Sequence, residues 1–437
     1  MSRPFIMPII PVRYPRLGRV LAMVVALGLP AGAPAQDAGS ATPAVFRRFA
    51  DQVAKLEVVE RGSGAKAELG SGFWVSADGR LITNFHVIAK LVHDPDRYHV
   101  EVVDRAGTRR PGTVLAVDVV HDLAVVGVAY RPAVFLRLGP ARIAQGQRLY
   151  SLGHPHDLGL SIVEGTYNGP LRHTLHERIH FTGSLNPGMS GGPTITGAGV
   201  VVGVNVATAG NQLSFLVPVD RAAALLAAQA RAADRPADSL LADVGRQLHR
   251  YQDEYVRTLF SGTDSAVVLG PYRLPTQPAS FFNCWADAER DEDEPYEIVY
   301  HECSTDDYVF VSRDHSSGLL SIEHRLVTSD RLNRFRFAAL YTNQFQEHAW
   351  APDASKDDVT PFRCASRNVR RDSLTFRTVF CVRRYRKFAG LYDAVMRAAA
   401  LGEPDRGLVT TLTLSGVSYA NARLLVQRYL ERITWAQ

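Results

Sequence analysis

The chain has 437 residues, and 46% of them are hydrophobic, which is enough for two domains with separate hydrophobic cores. Its 49 Lys and Arg residues against 44 Asp and Glu residues give a net charge of +5, which is small for this length. A balanced charge over a mixed composition gives no reason to expect nucleic-acid binding.

Residues 1–35 have the pattern of a secretory signal peptide. Arg13, Arg16 and Arg19 precede an apolar run at residues 20–29, and the Ala-Pro-Ala sequence at 33–35 has the small residues that signal peptidase requires. The run is too short to span a bilayer, and no later segment is apolar enough to do so. We therefore expect an exported protein, periplasmic or secreted, whose mature N-terminus lies near Gln36. Met7 is an alternative start of translation.

After a spacer at residues 36–43, a short amphipathic helix and many β-rich segments follow. Short strands separated by turns, with no long helix between them, indicate a barrel or a sandwich. About twelve such strands fit two Greek-key barrels with a site at their seam. The predicted strands are 55–60, 72–76, 81–83, 99–104, 113–118, 123–128, 148–151, 161–167, 178–182, 194–196, 200–206 and 214–217.

The pattern changes after Pro218. Residues 219–233 and 239–260 repeat apolar side chains at helical spacing, which indicates two helices. Strand-like runs follow, and the chain ends in a segment with a helical pattern at 419–433. The strand-like runs are 296–300, 308–312, 319–323, 335–342, 374–383 and 408–414. The sequence therefore predicts a β-barrel domain (44–225), a helical linker (226–263) and an α+β domain of unknown role (264–437).

Three segments together contain the groups of an activated serine nucleophile. His86 lies in the segment TNFHV, Asp122 begins the segment DLAVV, and Ser190 lies within NPGMSGGP. A serine hydroxyl needs an imidazole to accept its proton, and the imidazole needs a carboxylate to fix its tautomer. Asp118 is an alternative carboxylate, but we expect it on a solvated turn.

The glycines around the serine suit an oxyanion hole. The backbone N–H groups of Gly188 and Ser190 converge on one point only if the turn is tight and unobstructed. Ser184 and Ser214 are competing nucleophiles, but neither has a glycine on both sides.

The segments GSGFWV (70–75) and LITNFHV (81–87) resemble the region around the catalytic histidine of trypsin-like serine proteases, in particular the bacterial periplasmic heat-shock type. The segments of Asp122 and Ser190 resemble other parts of the same family. This resemblance covers residues 44–225.

The resemblance implies a trypsin-like double β-barrel and an endopeptidase that cleaves polypeptides with His86, Asp122 and Ser190, without a cofactor or metal. Met189 departs from the family, which usually has Asn or Asp before the nucleophile. That departure keeps open an alternative, a pseudo-protease that only holds a polypeptide or an envelope component.

The same residue matching places Ser184 at the base of the primary specificity pocket, Val206 on its wall and Ser214 on the opposite side. None of these positions carries an acidic residue. The resemblance therefore implies a preference for small or medium apolar residues rather than Lys or Arg before the cleaved bond.

All four cysteines lie in the C-terminal half, and none is in a Cys-x-x-Cys arrangement. Four cysteines allow three pairings, of which the two local ones are Cys284–Cys303 and Cys364–Cys381. In an exported protein these local pairs are predicted to be structural disulfides. Proteases of the type that the N-terminal half resembles commonly carry a C-terminal peptide-binding PDZ domain. The C-terminal half of this chain lacks the carboxylate-binding loop of such a domain, so the resemblance predicts no oligomeric state. A further alternative is that this half binds a ligand or an envelope component and is the functional part.

Two other patterns indicate structural features rather than binding sites. The basic run at 383–387 (RRYRK) is predicted to be a solvated face rather than an anion-binding patch. The five histidines between the hairpin SLGHP and the Ser190 loop match no ligand motif, so no metal site is predicted. They are His154, His156, His173, His176 and His180.

Overall fold

The computed structural model describes residues 41–139, 143–172, 174–208, 212–231, 239–261, 265–277, 279–291, 293–305, 307–346, 352–371 and 373–436. The predicted signal peptide (1–35) lies outside the described residues, and so do His173 and most of the predicted spacer (36–43). In the described part of the chain, no helix is long and apolar enough to cross a membrane.

The N-terminal half begins with a short helix, α1 (Thr42–Phe49), followed by six antiparallel strands. These strands are β1 (Val53–Glu60), β2 (Lys66–Trp74), β3 (Arg80–Thr83), β4 (Tyr98–Val103), β5 (Arg109–Asp118) and β6 (Leu123–Val128). They close into a barrel in the order β1-β2-β3-β6-β5-β4. Helix α2 (Phe85–His93) connects β3 to β4.

A second barrel follows directly. Its strands are β8 (Arg148–Gly153), β9 (Ser161–Pro170), β10 (Ile179–Phe181), β11 (Pro193–Ile195), β12 (Val200–Thr208) and β13 (Ser214–Pro218). They are joined in the order β11-β8-β9-β10-β13-β12, and β12 pairs back with β11, while the short strand β7 (Arg137–Leu138) runs parallel to β12. The prediction of two barrels is therefore confirmed.

The strand β6 shows how the two barrels meet. Ala124 and Val126 lie in the core of the first barrel, whereas Leu123 and Val125 lie in a core shared with the second barrel. A strand buried on both faces is a nearly continuous apolar run, as this one is. The residue before β6 therefore lies at the seam between the barrels.

The C-terminal half begins with two helices, α3 (Val219–Arg231) and α4 (Ser239–Ser261). A small sheet contains β14 (Ala266–Leu269), β15 (Tyr272–Pro275) and β25 (Thr434–Trp435). A hairpin is formed by β18 (Val309–Ser312) and β19 (His315–Ser317), and the remaining helices are α5 (Arg334–Gln346) and α6 (Tyr419–Glu431).

The largest sheet of this half has seven antiparallel strands and is open. The strands are β16 (Asn283–Arg290), β17 (Glu297–Ser304), β20 (Leu320–Thr328), β21 (Arg363–Arg371), β22 (Leu374–Arg384), β23 (Leu391–Leu401) and β24 (Arg406–Ser418). Their order is β16-β17-β20-β24-β23-β22-β21. Disulfides join Cys284 to Cys303 and Cys364 to Cys381, with S–S distances of 2.08 and 2.03 Å.

One prediction for this half was wrong, and another holds only in part. Residues 335–342 form helix α5 rather than a strand, because Asn333 Oδ1 accepts the N–H groups of Phe335 and Arg336 and caps the first turn. The basic run is a solvated face only in part. Arg384, Arg386 and Lys387 are exposed, whereas Tyr385 is buried and Arg383 Nε donates to buried Asp393 Oδ2 over 2.7 Å.

The two halves share a hydrophobic core. Helix α4 lies within the predicted linker, yet Leu240, Val244 and Leu248 pack into the core of the first barrel. Val309 and Val311 of strand β18 belong to the same core. Residues Ala41–Gln437 accordingly form one compact unit.

Candidate active site

His86 lies in the first turn of α2, next to Asp122. The Asp122 Oδ2 and His86 Nδ1 atoms are 2.7 Å apart, and Asp122 Oδ1 accepts the backbone N–H of His86 over 2.8 Å. Asn84, the residue that precedes the helix, donates its side-chain amide to the carbonyl oxygen of Asp122 over 2.7 Å. These contacts fix the imidazole with Nδ1–H toward the carboxylate, so Nε2 is the free base.

The backbone of Asp122 is unusual. Its φ angle is +59°, in the left-handed region that few non-glycine residues other than Asn and Asp adopt, and its side chain is buried. The turn between β5 and β6 therefore aims the carboxylate across the seam toward α2.

Several charges act on the imidazole of His86. Burial lowers the pKa of His86, but the charge of Asp122, its hydrogen bond and the charge of Glu68 raise it, while Arg178 lowers it. The net effect is a pKa above the usual value of 6.5. The free base is therefore present mainly at neutral to alkaline pH.

Asp118, the alternative carboxylate, does not contact His86. Asp118 Oδ2 lies 2.8 Å from His121 Nδ1, and Oδ1 accepts the backbone N–H of His121 over 3.0 Å. The expectation that Asp118 lies on a freely solvated turn was wrong, because it is half-buried at the end of β5 and holds this turn together.

The loop of Ser190 packs against the segment that leads to His86. The carbonyl oxygen of Ser190 accepts the N–H of Ser71 over 2.8 Å. Gly191 has a φ of +83°, and a Cβ there would lie 3.0 Å from the backbone nitrogen of Asn84. Only glycine permits this approach, which brings the loop close to the start of α2.

Gly188 is also held tightly. Its φ is +96°, a Cβ there would lie 2.3 Å from the carbonyl oxygen of His154, and its own carbonyl oxygen accepts a hydrogen bond from Ser71 Oγ over 2.7 Å. His154 is buried, and burial with the nearby charge of Lys55 lowers its pKa to about 4, although Asp157 raises it. A neutral His154 thus supports the loop at physiological pH.

The loop has free donors on its backbone. Neither Gly188 N–H nor Ser190 N–H donates a hydrogen bond to any described residue, and Ser190 Oγ has no hydrogen-bond partner among them, His86 included. Free N–H groups two residues apart on a tight turn can bind an oxyanion. The hydroxyl is not joined to the imidazole in this structure.

Met189, the residue before Ser190, holds the loop by its hydrophobic side chain. Its side chain is fully buried and packs in the core of the second barrel with Leu149, Phe181 and Leu185. The carbonyl oxygen of Met189 accepts hydrogen bonds from Gly192 N–H and Asn205 Nδ2. Burial of an apolar side chain therefore holds the loop at this position.

The predicted pocket residues lie in different surroundings. Ser184 is exposed, Val206 is half-buried, and Ser214 is fully buried. Ser214 Oγ accepts the N–H of Leu185 over 3.1 Å. Ser214 consequently positions the backbone around residue 185 rather than presenting its hydroxyl to solvent.

Residues of the C-terminal half lie beside His86, and no local sequence pattern predicted this contact. The ring of Phe310, on β18, stands edge-on to the His86 ring with centroids 5.9 Å apart. His93 Nε2, at the end of α2, lies 2.9 Å from the carbonyl oxygen of Val311. The hairpin β18–β19 therefore walls one side of the imidazole.

A second contact from this half reaches the loop between β9 and β10. Asp307 Oδ2 accepts the N–H groups of Leu175 and His176, and Tyr251 of α4 stacks on His176 with centroids 5.4 Å apart. Arg178, in the same loop, has a buried Nη1 atom without a hydrogen-bond partner among the described residues. The C-terminal half thus shapes the surroundings of the site.

The histidines between β8 and the Ser190 loop do not converge. His176 contacts Tyr251 and His121, and His154 contacts Ser71. In the described part of the chain, no group of three or more His, Cys, Asp or Glu side chains is arranged to hold a metal ion.

Comparison with known proteins identifies the domain that carries this site. The trypsin-like peptidase domain family matches residues 70–204. A probable periplasmic serine endoprotease DegP-like from Chlamydia pneumoniae is 33% identical over 154 residues, which is 34% of this chain and 30% of that protein. The mitochondrial serine protease HTRA2 of Bos taurus is 33% identical over 191 residues, 40% of each chain.

A solved structure, the serine endoprotease from Yersinia pestis, is 24% identical and has a TM-score of 0.38, covering 44% of this chain and 67% of that one. The chain spans less than half the length of the two relatives above. The region 70–204 is a trypsin-like peptidase domain, and its relatives are named as serine endoproteases of the DegP and HtrA kind. The match to the family ends at residue 204 and does not include the C-terminal half of the chain.

Proposed function

We propose that this protein is an exported serine endopeptidase that hydrolyses peptide bonds of polypeptides through Ser190, His86 and Asp122. The observation that carries the proposal is the double contact of Asp122 with the side chain and backbone of His86, beside the loop of Ser190. That geometry leaves one imidazole nitrogen free as a base. Named endoproteases among the relatives support the reaction class.

In this proposal Ser190 Oγ attacks the carbonyl carbon of the substrate while His86 Nε2 takes the hydroxyl proton. Asp122 stabilises the imidazolium that forms, and the N–H groups of Gly188 and Ser190 bind the oxyanion. The C–N bond then breaks as His86 returns the proton to the leaving amine. Water attacks the acyl-enzyme with His86 again as the base, which releases the second product and restores Ser190.

The unbonded hydroxyl of Ser190 favours a second candidate, a protein that keeps the fold and only binds polypeptide. Catalytic hydrogen bonds are often long without substrate, so this feature is compatible with both candidates. A fluorophosphonate probe separates them. We expect wild-type protein to be labelled at Ser190 and to cleave casein, and S190A to do neither. The variant S63A, at an exposed serine in the turn between β1 and β2, is the matched control and should behave as wild type. A wild-type protein that is neither labelled nor active would contradict the proposal.

The expected compartment is the periplasm or the exterior of the cell. The relative from Chlamydia is named as periplasmic, although a chloroplastic relative from Arabidopsis thaliana, 28% identical over 212 residues, and the mitochondrial one are also similar. Two disulfides suit an oxidising compartment. N-terminal sequencing of protein from the periplasm should find residues near Gln36, and full-length protein in the cytosol would contradict this.

For specificity we propose Val, Ala, Leu or Met before the cleaved bond. Ser184, Val206 and Ser214 carry no charge that could pair with Lys or Arg, and an unpaired buried ammonium costs several kcal/mol. Burying one or two methylenes instead contributes roughly 1–2 kcal/mol. Profiling with a peptide library tests this, and a preference for basic residues would contradict it.

A further inference from the structure

The two outermost strands of the seven-stranded sheet are unpaired on their outer sides. Strand β16 pairs only with β17, and strand β21 pairs only with β22, among the strands of the described residues. They have similar lengths, eight and nine residues, and nearly all of their residues are exposed. Such edges bind another strand unless something blocks them.

Prolines and bulges, two of the usual blocking features, are missing from these two edges. Neither strand contains a proline, and neither pairing has a register shift that would mark a bulge. Each edge strand is instead joined to its neighbour by a disulfide, Cys284–Cys303 at one edge and Cys364–Cys381 at the other. Both edges are therefore straight and held in register.

The two edges carry opposite charges. Strand β16 presents Asp287 and Glu289, neither of which has an ion-pair partner among the described residues, on the same face as Trp285, whose side chain is 74% exposed. Strand β21 has four arginines and no acidic residue. They are Arg363, Arg367, Arg370 and Arg371, and of these Arg371 pairs with Glu431.

We propose that a second copy of this chain docks by pairing its β21 edge with the β16 edge of the first. Like edges would place acidic side chains against acidic ones, or arginines against arginines, which is unfavourable across a strand pair. Unlike edges bring opposite charges together. An exposed tryptophan at the acidic edge also offers a face on which an arginine can stack.

The register of the sheet shows that antiparallel pairing matches the charges. Residues directly opposite each other share a face, and the row through Asp287 runs through Tyr300, Arg325, Val409, Ala399, Arg377 and Asn368. Within one molecule, then, the face of Asp287 carries Asn368, and the neighbouring Arg367 points to the other face.

A second copy must be turned over to continue the antiparallel pattern. Because the sheet has seven alternating strands, β16 and β21 run in the same direction, and pairing them antiparallel requires a half-turn about an axis across the strands. That turn exchanges the faces. It brings the row of Arg363, Arg367 and Arg371 to the face of Trp285, Asp287 and Glu289.

The contact is head-to-tail, so one molecule can use both edges at once. Six strand spacings separate the edges by about 29 Å, which leaves room for two neighbours. A head-to-tail contact produces rings or open chains rather than a closed pair. Association should consequently extend beyond a dimer as the concentration rises.

Sedimentation velocity of the intact oxidised protein tests this proposal. Wild-type protein should form larger species with rising concentration at low salt, and much less so near 1 M salt, where screening shortens to about 3 Å. The double variants D287R/E289R and R363E/R367E should each associate at least about tenfold more weakly. An equimolar mixture of the two should regain association, because each retains the edge that the other lacks.

The control D94R/D96R makes the same change in net charge as D287R/E289R, but on an exposed loop of the first barrel, and should associate as wild type. Circular dichroism confirms that each variant is folded. A wild-type protein that stays monomeric at every concentration would overturn the proposal. So would edge variants that associate like wild type, or a mixture that stays monomeric, since the contact would then lie elsewhere or be symmetric.

Discussion

The two halves of this chain differ in whether their main sheets have free edges. Each of the twelve barrel strands of the N-terminal half has a neighbour on both sides, because both sheets close on themselves. The large sheet of the C-terminal half stays open and ends in two exposed strands. The N-terminal half is therefore the closed half, and the C-terminal half is the open half. Closure brings polar groups such as Asp122 to a protected seam, whereas an open sheet leaves its backbone and charges available to another chain.

The two halves are not separate at His86, where residues of both lie in contact. Phe310 of the open half lies against His86, and α4 shares a core with the first barrel. The hairpin that carries Phe310 is itself held to the large sheet, since Tyr385 donates to Asp393 and packs edge-on against His315 with centroids 4.3 Å apart. The hairpin therefore contacts both the residues beside the large sheet and the ring of His86.

The largest expected effect tests the seam of the closed half. Asp122→Asn removes the anion that orients His86 and leaves the imidazole in the wrong tautomer, so kcat should fall by about 10⁴ while the protein stays folded. The activity of the purified variant on a peptide substrate measures this. Asp118→Asn is the matched control, because Asp118 contacts His121 and not His86. An equal loss in both variants would contradict the assignment of Asp122.

A smaller effect tests the buried ion pair of the open half. Asp393→Ala leaves Arg383 and Tyr385 without their partner in a site where Asp393 is fully buried, so the free energy of unfolding should fall by about 3–5 kcal/mol. Urea unfolding followed by circular dichroism gives the value. Asp405→Ala, which breaks an exposed pair with Arg406, should change stability little. Equal stability of the two variants would show that the Asp393 pair contributes nothing.

Each disulfide should stabilise the open half by a free energy that depends on the length of the loop it closes. The bonds Cys284–Cys303 and Cys364–Cys381 close loops with separations of 19 and 17 residues, so replacing either pair by serine should destabilise the open half by about 3 kcal/mol. The urea midpoint of each double-serine variant, compared with that of the oxidised wild type, tests this. The barrels have no cysteine, so a loss of peptidase activity without unfolding would be unexpected.

The smallest effect concerns pH and compares two residues of opposite charge that act on the imidazole of His86. Activity requires neutral His86, whose pKa lies above 6.5, so kcat/KM should rise with pH through a midpoint above that value. Glu68→Gln removes a charge that raises the pKa of His86, so the midpoint should move to lower pH. Arg178→Gln removes a charge that lowers it, so the midpoint should move to higher pH. Shifts in the same direction for both variants would contradict this electrostatic picture.

The sequence by itself determined the parts that depend on local chemistry. The alternation of apolar residues predicted the twelve barrel strands, and the local context of His86, Asp122 and Ser190 marked the candidate triad, because each of these signals lies within a few residues. The tertiary structure alone decided which groups face one another across long separations. Phe310 beside His86 and the acidic and basic edges of one sheet depend on packing between distant segments, which no local pattern encodes.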